Sequence, residues 1–122
     1  MSVPQAAHAP GAANGTAVQL YDCNGSNAQK WTFKPDGSLR ALGSCLDATG
    51  RGTANGTPLQ IWECGNGAPQ QTFVPRADGS LYNPASGRCV DLPGGTATNS
   101  ARLQLWDCNG TPAQKWTALV RS

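Results

Sequence analysis

The chain is poor in charge, in histidine and in long apolar runs. Charged residues make up 13% of its 122 residues, against roughly 25% in an average soluble domain. The basic residues are scattered and the net charge is only +2. No lysine–arginine run exists to neutralise a series of phosphates, so nucleic acid is not expected as a partner. No apolar stretch approaches the roughly 20 residues of a membrane helix, so membrane insertion is not expected either. His8 is the sole histidine, and it sits in an Ala- and Pro-rich stretch with nothing beside it to act as an acid–base or metal partner. Close C-x-x-C pairs of the kind that hold zinc are missing as well. Neither a metal nor a cofactor is expected. Residues 1–10 show no basic n-region and no apolar h-region, so no signal peptide is read there.

What the chain does have is glycine, proline, small polar residues and a repeat. Low charge with few aliphatics can mean disorder, but four tryptophans at regular places and paired cysteines argue for a packed domain. One phrase occurs three times, with Gln19-Leu20-Tyr21-Asp22-Cys23, Gln60-Ile61-Trp62-Glu63-Cys64 and Gln104-Leu105-Trp106-Asp107-Cys108 at its centre. A Gln-x-aromatic follows each copy, at Gln29-Lys30-Trp31, Gln71-Thr72-Phe73 and Gln114-Lys115-Trp116. The period is about 42 residues, and a unit of that size cannot bury its apolar face alone. Three copies suit a closed all-β structure with threefold pseudosymmetry. The repeats fall at about 1–36, 37–78 and 79–122. Residues 1–11 read as a linker remnant or a degraded first strand, with the domain proper over 12–122.

Turn signals divide each repeat into short strands. Asn14-Gly15-Thr16 and Asn55-Gly56-Thr57 precede the phrase, and Asp36-Gly37 and Asp78-Gly79 are hairpin turns. Strands are expected at 31–34, 39–42, 45–47, 73–76, 81–83, 89–91 and 116–120, in addition to the phrases themselves. The first repeat lacks a counterpart of 39–42. That predicts an unpaired edge beside 116–120, or a strand borrowed from a second copy.

The cysteines extend the repeat. Cys45 and Cys64 are 19 residues apart, and so are Cys89 and Cys108. One disulfide per repeat explains the equal offsets better than zinc or free thiols, and it places the chain in an oxidising, extracellular compartment. Cys23 is left over, and homodimerisation through it or through the incomplete first repeat is an expectation.

Alternation along the strands then locates a site. Leu46 faces inward, so Cys45 and Asp47 share the other face. Gln60, Trp62 and Cys64 do the same opposite Leu59 and Ile61. Setting Cys45 against Cys64 puts Asp47 directly opposite Trp62, and in the third repeat Asp91 opposite Trp106. Each such face carries a carboxylate, an aromatic plate and an amide. That set suits a sugar, whose flat C–H side stacks on the ring while the carboxylate and amides take its hydroxyls. Trp31, Phe73 and Trp116, each just after its glutamine, read as core. The seven acids fall into repeat-equivalent sets, Asp22, Glu63 and Asp107, then Asp47 and Asp91, then Asp36 and Asp78. None is unique to one copy and no nucleophile has a base beside it, so the chain is not expected to be an enzyme.

Taken together, the three Gln-x-aromatic repeats with Cys-Leu-Asp and Gln-x-Trp-x-Cys phrases resemble the ricin B-type (QxW)3 lectin domain. They are especially similar to family 13 carbohydrate-binding modules of secreted bacterial glycosidases. The resemblance covers about residues 12–120. It implies a β-trefoil, a six-stranded barrel capped by three hairpins, and galactose-, xylose- or arabinose-type ligands. It also implies that the second-repeat site comprises Asp47, Gln60, Trp62, Gln70 and Gln71, and the third-repeat site Asp91, Gln104, Trp106 and Gln114. In the first repeat, counting back from Tyr21 places Ala6 at the aspartate position, and counting back from Cys23 places Pro4 at the cysteine position. Only Gln19, Tyr21 and Gln29 remain there, so two working sites are expected. The reading is a non-catalytic, secreted carbohydrate-binding trefoil that targets a glycosidase. Its alternatives are a free-standing multivalent lectin and a trefoil that binds a protein as inhibitor or scaffold.

Overall fold

A computed structural model describes residues 5–22, 26–95, 100–116 and 120–121. Within them the chain is all β, with five 3-10 turns and no α-helix. Repeat one contributes β1 (Gln5–His8), β2 (Gln19–Asp22) and β3 (Thr32–Phe33). Repeat two contributes β4 (Leu39–Ala41), β5 (Ser44–Ala48), β6 (Leu59–Trp62) and β7 (Val74–Pro75). Repeat three contributes β8 (Leu81–Asn83), β9 (Arg88–Asp91), β10 (Gln104–Asp107) and β11 (Val120–Arg121). The antiparallel pairs β1–β2, β5–β6 and β9–β10 are equivalent, as are β3–β4 and β7–β8.

The repeated phrases close the barrel on themselves. Val18 N donates to Leu59 O at 3.1 Å, Leu59 N to Leu103 O at 2.9 Å, and Leu103 N to Val18 O at 2.8 Å. This cycle returns to its start after three steps, which only a closed threefold arrangement allows. Three further bridges, Ala17 with Gln60, Pro58 with Gln104 and Arg102 with Gln19, follow the same order. The alternation of each phrase therefore has a direct outcome. Val18 and Leu20, Leu59 and Ile61, and Leu103 and Leu105 are all buried, each side chain contributing about 1.5–3 kcal/mol relative to exposure. The glutamines and aromatics between them point the other way.

The residues that follow the three glutamines pack beneath. Trp31 and Phe73 are buried and Trp116 is half-buried against the core. The two indoles are also pinned, Trp31 Nε1 donating to Ala7 O at 2.9 Å and Trp116 Nε1 to Val90 O at 3.0 Å. The hairpins between β3 and β4 and between β7 and β8 turn on Asp-Gly. Gly37 and Gly79 take φ of 91° and 92° there, a conformation that excludes most other residues. Asp36 and Asp78 cap the turns, each accepting from the backbone N–H two residues on, at 2.9 Å in both, and from the hydroxyl of Ser38 or Ser80. Those hydroxyl and amide bonds hold both carboxyls below the usual carboxylate range.

Both disulfides expected from the spacing are formed. The register expected from them is not. Asp47 pairs with Gln60 and Cys45 with Trp62, and in repeat three Asp91 pairs with Gln104 and Cys89 with Trp106. Alternation fixes the face of a strand but leaves the register free to slide by two. Cys64 lies beyond the end of β6, outside the paired residues, and its Cα comes within 5.2 Å of that of Cys45. The expected open edge is corrected too. Val120 pairs with Thr32 and Arg121 with Phe33, in parallel, so β3 of repeat one flanks the end of repeat three. Residues 117–119 of the expected 116–120 strand, and Cys23, lie outside the described residues.

Candidate functional site

In repeat two the site begins near the end of β5. Asp47 is buried, and its two oxygens are clamped by two amides. Gln60 Nε2 donates to Oδ1 at 3.0 Å and Gln71 Nε2 to Oδ2 at 2.9 Å. Repeat three repeats the clamp, Gln104 Nε2 donating to Asp91 Oδ2 at 2.9 Å and Gln114 Nε2 to Asp91 Oδ1 at 3.1 Å. An ionised carboxylate has about four acceptor positions, so each keeps lone pairs for a ligand after the amides have fixed its plane.

The carboxylate was expected on an open face with the amides around it. The structure instead places Gln71 and Gln114 behind it, buried. Gln71 Nε2 also donates to Glu63 O at 3.1 Å, and its Oε1 accepts from Gly65 N at 2.9 Å. Gln114 does the same with Asp107 O and Asn109 N, both at 2.9 Å. These two glutamines tie the carboxylate, the end of the aromatic strand and the following turn into one unit. Gln29 makes the corresponding bond in repeat one, to Asp22 O at 2.7 Å.

Beyond the carboxylate stands the ring. Trp62 is 41% exposed and Trp106 40%, high for the largest apolar side chain beside a closed core. In repeat three the ring, Asp91, Gln104, Gly94, Asn109 and Thr111 line a crevice of about 680 Å³, within the range of small-ligand sites. Ala113 lines it as well. Gln70, at the matching position of repeat two, lines a separate and smaller cavity with Arg51 and Asn83.

Two contributions went unread in the sequence. The Asn-Gly-Thr turns are staples as well as turns. Asn14 Oδ1 accepts from Glu63 N at 2.7 Å and Asn55 Oδ1 from Asp107 N at 2.8 Å, so repeats one and two each hold the strand end just past the next repeat's tryptophan. Their recurrence ahead of the first two phrases was the available signal. The second is His8. Gln19 pairs with His8, as Gln60 pairs with Asp47 and Gln104 with Asp91. The tryptophan bonds agree, since Ala7 O takes the indole of Trp31 as Val90 O takes that of Trp116. The aspartate position of repeat one is therefore His8, with Ala6 at the cysteine position. Counting back failed because the connection from β1 to β2 is two residues shorter than its counterparts. Ala6-Ala7-His8 could have been set against Cys45-Leu46-Asp47 directly.

His8 behaves differently from the aspartates. Its ring stacks on Tyr21, with centroids 5.1 Å apart and planes at 26°. Its Nδ1 is buried without a partner among the described residues, and the loss of hydration holds its pKa below the ordinary value. Tyr21 keeps 36% exposure, but one side of its ring is taken.

Known proteins are similar to this chain in sequence and in fold. The sequence model of the ricin-type beta-trefoil lectin domain matches residues 5–116. A 35-residue stretch is 57% identical to Serine protease 1 of Rarobacter faecitabidus, covering 29% of this chain and 7% of that protein. Among solved structures, a non-toxic homologue of type II ribosome-inactivating proteins from Momordica charantia, in complex with alpha-methyl-D-galactoside, is similar at a TM-score of 0.78 and 26% identity, over 88% of this chain and 40% of that one. The designed threefold protein ThreeFoil is similar in fold at a TM-score of 0.81 and 22% identity, over 92% of this chain and 88% of that one. The chain thus spans a small part of the curated relatives it matches. With its barrel closed by three equivalent phrases and the family match running over nearly all of it, the chain belongs to the ricin-type beta-trefoil lectin domain family.

Proposed function

We propose that this domain binds carbohydrate without transforming it, through the Asp47–Gln60–Trp62 face of repeat two and the Asp91–Gln104–Trp106 face of repeat three. The observation that carries the reading is an exposed indole next to a carboxylate held in a fixed plane by two amides, present in both repeats. A pyranose stacked on the indole brings its hydroxyls to the free lone pairs of the carboxylate and, in repeat three, to the half-buried amide of Gln104. Gln71 and Gln114 position the carboxylate. Galactose-type sugars lead the ligand classes, supported by the galactoside bound to the Momordica relative, with xylose and arabinose types alongside. Each face has one stacking ring, so a monosaccharide binds at millimolar to high micromolar strength, about −4 to −6 kcal/mol. Two faces on one rigid body make a polysaccharide a far better ligand.

The non-catalytic reading rests on the acids. Glycoside hydrolysis uses two carboxyl groups across one bond, whereas each face offers a single clamped aspartate, and Asp36 and Asp78 are engaged in hairpin turns. A role in directing a larger secreted enzyme to its polymer is supported by the protease relative, of which the matched segment is 7%, and secretion by the disulfides. A glycan array tests the binding. Hits on galactose-, xylose- or arabinose-terminated glycans that vanish in the Trp62→Ala, Trp106→Ala double variant are expected. An array with no hits would favour a protein-binding trefoil.

A further inference from the structure

The faces of repeats two and three differ at their rim. The 3-10 turn at Thr49–Arg51 corresponds to the one at Pro93–Gly95. Gly50 and Gly94 take φ of 64° and 63°, and the next residues, Arg51 and Gly95, take 59° and 66°. This is left-handed backbone, which glycine adopts freely and a residue with a Cβ resists. Arginine stands in a place where the equivalent turn uses glycine. Such an outlier is grounds for asking what the side chain does.

Arg51 has no hydrogen bond or ion pair among the described residues. By contrast Arg40 pairs with Asp36, Arg88 binds Asn55 and Thr53 O, and Arg102 binds Leu59 O. Arg51, Thr53, Pro69, Gln70 and Asn83 line a cavity of about 150 Å³. No carboxylate is among its lining residues. Gln70 stands where repeat three has Ala113, and its Oε1 is buried without a partner among the described residues. Asn83 is a fixed wall, its Nδ2 donating to Pro69 O and Thr72 O and its Oδ1 accepting from Ser86 N. The two turns that form this cavity flank the Asp47 face, because their counterparts in repeat three line the same crevice as Asp91 and Trp106.

We propose that this cavity is a subsite beside the Asp47–Trp62 face that takes an acidic sugar, a hexuronic acid. The proposal rests on the carbohydrate reading of that face. An unpaired guanidinium offers planar donors matched to a carboxylate. The unpartnered oxygen of Gln70 needs a donor. A hexuronic acid supplies both groups, an acceptor carboxylate and donor hydroxyls, on one ring. Repeat three, with Gly95 and Ala113 in these places, has neither group and takes neutral sugars. The two faces then read different units of one polymer.

The Trp106→Ala protein isolates the face of repeat two. Calorimetry with galactose, galacturonic acid and galactose 6-sulfate gives the test. Galacturonic acid should bind about tenfold more tightly than galactose at low salt, with the gain shrinking as salt is raised. Adding Arg51→Gly should erase the gain and leave galactose binding unchanged, and glycine suits the backbone there, so folding is preserved. Arg51→Lys should keep only part of the gain. The Trp62→Ala protein, left with the face of repeat three, should show no preference. Equal affinities for galactose and galacturonic acid would overturn the subsite and leave the face reading intact. Binding of neither sugar would overturn the face reading and the subsite with it. Galactose 6-sulfate bound as tightly as galacturonic acid would replace the uronate assignment by a general anion site.

Discussion

In repeat three Asp91 sits opposite Gln104 and receives an amide from it and from Gln114. In repeat one the same place, opposite Gln19, holds His8, whose ring lies on Tyr21. The surrounding frame is shared. Both repeats have the antiparallel strand pair, the closing hydrogen bonds of the barrel, the glutamine bonded to the end of the aromatic strand, and an indole pinned beneath. The frame is thus independent of what it displays. A carboxylate only accepts, so it draws amide donors to itself and leaves the neighbouring ring open. An imidazole is flat and largely apolar when neutral, and here it covers that ring. With His8 in place of the aspartate and Tyr21 in place of the tryptophan, a face that presents an indole becomes a face that stacks on its own aromatic.

Removing the rings from the proposed pair of faces is the strongest way to break this comparison. Trp62→Ala and Trp106→Ala together should lower affinity for a branched galactan by about a hundredfold or more, since both stacking surfaces and the linkage between them are lost. Either single change should cost about tenfold, while Tyr21→Ala should change affinity less than about twofold. Calorimetry on the four proteins reads all three outcomes. Polymer binding retained in the double variant, or lost in the Tyr21 variant, would show that the frame does not sort its faces as argued.

Much of this was legible in the sequence, and the limits have physical causes. The closed threefold barrel, the core aromatics and both disulfides could be read because each depends on a repeat or on which face a residue occupies. The pairing of Asp47 with Gln60 could not be, because a slide of two residues preserves every face and the disulfide leaves from beyond the end of the strand rather than from within it. The burial of Gln71 was hidden for a related reason. A polar residue that recurs suggests ligand contact, yet its two bonds to backbone groups appear only once the following turn folds back. His8 was obscured by a shortened connection, which shifts any alignment anchored on the aromatic. Arg51 was hidden because nothing in a sequence marks a left-handed φ at a non-glycine residue.

The frame itself should be costly to damage. Opening the Cys89–Cys108 bridge by a double serine substitution releases a loop constraint worth about 3 kcal/mol in the chain-entropy model, to be read in denaturant melts. Gln114→Ala should cost about 2 kcal/mol, because Asp91, Asp107 O and Asn109 N all lose a partner. It should also weaken sugar binding at repeat three through a carboxylate no longer held in plane. A variant that kept its stability while losing binding would make Gln114 a ligand contact rather than a support.

Substitution in the other direction sharpens the comparison. His8→Asp places a carboxylate opposite Gln19, in the position that Asp47 and Asp91 occupy. It also removes the ring that covers Tyr21. Monosaccharide calorimetry should then report three faces per molecule in place of two, and galactan should bind a few-fold more tightly. Unchanged stoichiometry would mean that the shorter connection in repeat one, and not the imidazole, closes its face.

The smallest effect expected is on the stability of repeat one in mild acid. Burial strips water from the imidazole of His8, which disfavours the charged ring and lowers its pKa in the folded chain. The unfolded chain restores a value near 6.5, so it binds the proton more readily than the folded one. Stability is therefore level above that value and falls as pH drops below it, until the folded pKa is passed. The hairpin carboxyls Asp36 and Asp78 are shifted down from a much lower starting point, so their loss begins in stronger acid than that of the histidine. Melting temperatures of the native chain and of His8→Asn, compared at pH 7.5 and pH 5.5, isolate the term. The native chain should lose more than the variant over that interval. Parallel losses would mean that His8 is hydrated in the folded state and that its stack on Tyr21 does not shield it.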